Sequence, residues 1–126
     1  RSIQQTREEA LRRNQAVTMA PLNGDWNEGW RIFIDHNRNA AFDVEDELLA
    51  EDFAARVSHI HGSGALAKYL RYNAMGESEL LHGGFLAGTL YLCPAQQGGD
   101  GRRLIINRVG RLRMDASEIP ASYCLP

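Results

Sequence analysis

Apolar residues change their spacing near position 15, and that change divides the chain into a helical start and a strand-rich remainder. Over residues 2–14, Ile3, Ala10 and Leu11 form a thin apolar stripe. Glu8 with Arg12 and Glu9 with Arg13 are i,i+4 pairs in the favourable order. The pattern predicts a helix that is too short and too polar to be stable alone, and it reads as the end of a longer helix beginning upstream. Short apolar runs follow. Residues 16–20 stop at Pro21, Asn23-Gly24-Asp25 is a turn, and Trp30, Ile32 and Ile34 share one face of a strand over 30–35. Residues 48–60 hold one or two strands, 67–72 another, and 85–93 the strongest. Turn formers fill 35–47, 73–84 and 94–101, the last with Gly98-Gly99. Residues 103–107 and 111–115 predict a hairpin turning near Gly110, and 116–126 carries no pattern. One helix followed by about seven strands is an α+β domain with segregated elements, a helix end over 1–14 and a β-rich head over 15–126.

At 126 residues the chain is one domain with one modest core. Its 44% hydrophobic and 24% charged residues exclude wholesale disorder and a coiled coil. No apolar run approaches the ~20 residues that cross a bilayer. A net charge of -2 excludes nucleic-acid binding by bulk charge, yet the charge is segregated. Residues 35–52 carry seven acids against the single Arg38, whereas 102–113 carry five arginines (Arg102, Arg103, Arg108, Arg111 and Arg113) and no acid. Lys68 is the one lysine among 14 basic residues. The arginine excess as a whole reads as composition. The cluster reads as a candidate for phosphate contacts, which suit planar guanidinium groups.

Other candidate chemistry is thin. His59 and His61 alternate on a possible strand, but no third ligand is near in sequence, and a surface pair is the better reading. No nucleophile elbow and no Gly-rich phosphate loop is present, so neither an enzyme nor a cofactor is expected. The acidic loop is closer to a motif. Counting from Asp35, oxygen side chains fall at positions 1, 3, 5, 9 and 12 (Asp35, Asn37, Asn39, Asp43 and Asp46), which is EF-hand spacing for calcium. Ala40 stands where the sharp turn wants Gly, Asp46 has a shorter reach than Glu, and a strand rather than a helix precedes the loop. The loop is therefore expected to be structural, binding calcium weakly or not at all. Cys93 and Cys124 form no CxxC motif; they are either one disulfide in an oxidising compartment or two buried thiols in a reducing one.

In order along the chain stand Glu8-Glu9-Ala10 with Arg12-Arg13-Asn14, then Gly29-Trp30-Arg31-Ile32-Phe33-Ile34-Asp35 and a polar loop ending in Glu47-Leu48-Leu49. Gly76, Leu90-Tyr91-Leu92-Cys93, Arg103-Leu104-Ile105-Ile106, Gly110-Arg111-Leu112-Arg113 and a terminal Cys124 complete the set. This set resembles the periplasmic domain of the GspH/FimT family, the minor pilins and minor pseudopilins of type IV pili and type II secretion systems. The cysteine placement is more similar to the pilus members.

The resemblance implies a type IV pilin-like fold and a non-enzymatic fibre subunit that helps prime pilus assembly near the tip. Its partners would be other minor pilins and the major pilin. A hydrophobic helix upstream of Arg1 would hold it in the inner membrane, with the head in the periplasm before assembly and on the cell surface afterwards. A type II secretion pseudopilin is the alternative. The resemblance also implies a disulfide between Cys93 and Cys124. Some members bind DNA in natural transformation through a Gly-Arg-x-Arg motif, which Gly110-Arg111-Leu112-Arg113 matches residue for residue. The expectation is weak, sequence-independent binding of double-stranded DNA by Arg111 and Arg113 on one strand face. Arg108, Arg103 and Arg102 would extend the patch.

Overall fold

The computed structural model describes residues 1–53, 57–94 and 100–124. The turn expected at Gly98-Gly99 lies outside the described residues. Helix α1 spans Ser2–Arg13 and buries Ser2, Ile3, Thr6 and Ala10, a stripe at helical spacing. It ends because Asn14 turns left-handed at φ 55°, with the cap N–H returning to Ala10. The charge pairing differs from the simple i,i+4 pattern. Glu9 accepts from both Arg12 and Arg13, and Arg13 also reaches Glu47 Oε2 at 3.1 Å. One carboxylate thus serves two guanidinium groups, and the second of these ties the helix end to the sheet.

Among the described residues eight strands follow, in two antiparallel four-stranded sheets. The first sheet is built from β1 (Val17–Pro21), β2 (Trp30–Ile34), β3 (Glu47–Asp52) and β5 (Leu70–Tyr72), in the order β3-β2-β1-β5. The second is built from β4 (Val57–Gly62), β6 (Gly88–Pro94), β7 (Gly101–Ile106) and β8 (Leu112–Ser117), in the order β4-β6-β7-β8. The ambiguous stretch 48–60 therefore contains two strands, and they belong to different sheets. The strand expected over 85–93 begins later, at Gly88, and Phe85 makes only an isolated bridge to Glu79.

β1 is central and buried on both faces. Helix α1 packs on β1 and β5. The face that carries Thr18 and Phe33 is covered by the acidic loop, with Phe42 edge-on to Phe33 at 5.5 Å. On the same face Arg71, only 3% exposed, donates to Thr18 Oγ1 and Glu79 Oε2, each at 3.1 Å. The pairing matters because a buried guanidinium without partners is strongly unfavourable. The sheets are joined through the turn after β1. Trp26 Nε1 donates to Leu66 O at 2.7 Å, and Asn27 Oδ1 accepts from the N–H of Ile60 at 2.8 Å.

Candidate nucleic-acid interface

The arginine-rich segment is the β7–β8 hairpin at the edge of the second sheet. Its turn is built by Asn107. The Asn107 side-chain oxygen accepts from the N–H groups of Val109 and Arg111 at 3.1 and 3.0 Å, and its own N–H donates to Arg111 O at 3.1 Å. Gly110 closes the turn at φ 85°. No other residue fits there. A Cβ at Gly110 would lie 2.4 Å from Gly76 O and 2.9 Å from the Tyr72 ring. Tyr72 also donates its hydroxyl to Gly110 O at 3.0 Å, and burial pushes the Tyr72 phenol up to about 12.

Strand alternation sorts the five arginines onto different surfaces. Arg103 and Asp115 are directly opposite and form a two-point pair, Nε–Oδ1 2.9 Å and Nη2–Oδ2 2.6 Å. That hydrogen bonding holds the Asp115 carboxyl below its ordinary range and raises Arg103. Arg113, two residues from Asp115 and on the same face, reaches Asp115 Oδ2 at 3.5 Å and remains 67% exposed. Arg102 pairs in register with Ala116 and Leu92, so it stands on the opposite face from Arg103 and Arg113. Arg108 is in the turn, with its guanidinium 5.2 Å from the Phe85 ring centre. Arg111 precedes the first residue of β8, so the alternation that would set it beside Arg113 does not extend to it. It is exposed and lines a pocket against α1 with Ile3 and Arg7. Among the described residues Arg108 and Arg111 have no carboxylate partner and stand at the turn with Arg113 beside them, while Arg102, also exposed, is at the far end of β7. Met114 lies on the inward side of the strand with Leu104 but is 61% exposed, because the core ends before the sheet edge.

The outer face of the second sheet is covered elsewhere by the chain's tail. Beyond β8 a short 3-10 turn, Ala121–Cys124, brings Cys124 to Cys93, with Cα atoms 5.8 Å apart in a disulfide. Tyr123 then stacks on His61, ring centres 4.1 Å apart, and leans on Tyr91 at 4.8 Å. His59 instead meets Asn27 Nδ2 at 3.2 Å, so the two histidines have separate partners.

In the acidic loop the carboxylates serve the backbone. Asp35, 4% exposed, accepts from the N–H of Ala40 at 2.7 Å. Asp46 accepts from His36 and Asp43 N–H at 3.0 and 2.9 Å, and Asp43 takes the side-chain amides of Asn37 and Asn39 at 2.7 and 2.9 Å. Ala40 adopts φ 60°, the left-handed turn conformation a glycine would take at lower cost.

Comparison with known proteins follows this architecture. A family model described as type II transport protein GspH matches residues 1–110. The match stops at Gly110, so Arg111 and Arg113 fall beyond it. Two crystal forms of the Pseudomonas aeruginosa type IV minor pilin FimU superpose on the chain with TM-scores of 0.68 and 0.70, at 22% and 21% identity. Each covers 98% of this chain, and 87% and 92% of the FimU chains are covered. No curated protein sequence matches. At that identity the FimU likeness shows the fold, a pilin-like head of a helix on antiparallel sheets. The family match spans most of the sequence, and the chain belongs to the GspH/FimT family of minor pilins and pseudopilins.

Proposed function

We propose that the chain is the head of a type IV pilus minor pilin, a non-enzymatic subunit that helps prime fibre assembly near the tip. Its partners are then other minor pilins and the major pilin. A helix continuing upstream of α1 anchors it in the inner membrane before assembly. The observation that carries this reading is the agreement with FimU over 98% of the chain at a TM-score of 0.70. The family model's description favours a second reading, a pseudopilin of a type II secretion system. Deleting the gene in its host separates the two. Loss of surface pili with normal secretion supports the pilus reading; loss of secretion with normal pili supports the other.

The same reading gives the β7–β8 turn a second role, weak contact with double-stranded DNA in natural transformation. Arg108, Arg111 and Arg113 support it, since exposed guanidinium groups on a rigid turn contact phosphates without reading sequence. Arg103 contributes less, being held by Asp115, and Arg102 lies on the other face. Fluorescence polarisation with a labelled duplex at low salt tests this. The Arg111→Ala/Arg113→Ala variant should lose binding, and equal binding by both proteins would refute the role.

A further inference from the structure

Between α1 and the hairpin turn lies an open pocket of about 190 Å³. Arg7 of the helix and Arg111 of the turn both line it, with Ile3, Gln4 and Leu112, and no acidic residue is among the lining. Arg7 is half-buried and its Nε donates to Gly76 O at 2.8 Å, which fixes one edge of the guanidinium fork. Arg111 is fixed at its backbone, through its N–H to Asn107 Oδ1. Two arginines from two separately anchored elements thus line one cleft. Such an arrangement gains from an anion that bridges them, and the fork geometry of arginine suits the oxygens of phosphate.

We propose that Arg7 and Arg111 together hold one backbone phosphate of DNA in this pocket, so that the helix as well as the hairpin contacts the nucleic acid. The proposal rests on the reading of the hairpin as a DNA-contacting surface. It adds a residue 103 or more positions away from the Gly-Arg-x-Arg motif, on an element that sequence patterning assigns only to packing. The Tyr72 hydroxyl anchors Gly110, the residue before Arg111, to the first sheet.

The test is polarisation of a labelled duplex over a salt series, with wild type, Arg7→Gln, Arg7→Lys and Arg102→Ala. Arg7→Gln should weaken binding several-fold and flatten the slope of log affinity against log salt by about 0.9, the value of one lost phosphate contact. Arg7→Lys keeps the charge but not the fork and should recover the slope. Arg102→Ala should bind like wild type. Arg7→Gln binding with unchanged affinity and slope overturns the pocket while leaving the hairpin reading intact. Equal weakening by Gln and Lys with an unchanged slope overturns it as a packing effect. Failure of the wild type to bind duplex overturns the hairpin reading and the pocket together.

Discussion

Tyr72 of the first sheet donates its hydroxyl to the carbonyl oxygen of Gly110 in the turn of the second, at 3.0 Å. The phenol is fully buried, and its pKa is raised from 10.0 to about 12. The folded state therefore binds this proton more tightly than the unfolded chain. Its contribution is complete below pH 10 and disappears as pH rises through 12. The Tyr72 contribution to the denaturant midpoint should fall between pH 10 and 12. Tyr72→Phe should flatten that fall while lowering stability by about 1 kcal/mol at pH 7. An alkaline transition that is the same in both proteins would contradict this.

The Arg103–Asp115 pair sets how much of the hairpin's charge is available. Asp115→Asn removes the carboxylate charge that holds Arg103 and attracts Arg113. Duplex affinity at low salt should rise in this variant, with a steeper salt dependence. Stability should change little, since solvent screens an ion pair at the sheet surface. A variant with lower affinity would mean that Asp115 orients the arginines toward DNA.

The disulfide closes a sequence separation of 31 residues and holds Tyr123 against His61 and Tyr91. In the chain-entropy description a loop of this length contributes about 3 to 4 kcal/mol. The Cys93→Ser/Cys124→Ser protein should have a correspondingly lower denaturant midpoint. Unreduced, unfolded protein from an oxidising compartment should show no reactive thiol, and two thiols by titration would contradict the bond.

In the acidic loop the oxygens of Asp46 are occupied by the N–H groups of His36 and Asp43. Asp46→Ala should lower stability, because it removes two hydrogen bonds that hold the turn, each contributing about 0.5–1.5 kcal/mol. Millimolar calcium should leave the wild-type melting temperature unchanged. A rise of several degrees that a chelator removes would show a calcium site instead.

Local patterning carried the helix, the central strands and the hairpin. Ile3 and Ala10 have helical spacing, Ile32 and Ile34 alternate, and Gly110 marks a turn where a Cβ cannot fit. What it could not carry is which strands share a sheet. Residues 47–52 and 57–62 are close in sequence but separate because β3 pairs with β2 and β4 with β6, a choice made by long-range packing. The tail looked patternless because its structure comes from the disulfide and the stacking of Tyr123, not from periodicity. The five arginines were visible as a cluster. Their division between two faces, a turn and an ion pair follows from register, which a one-residue shift would invert. Arg7 was not legible at all, since its bond to Gly76 O spans 69 residues.

As proposed, this head is carried on a type IV pilus. Immunogold labelling of surface pili with antibody to residues 1–126 tests it most directly, in the strain that carries the gene and in its deletion mutant complemented with the full-length protein. Sparse label at fibre ends, absent from the deletion mutant and restored by complementation, is the predicted result. Pili that assemble normally and carry no label in any strain would contradict it.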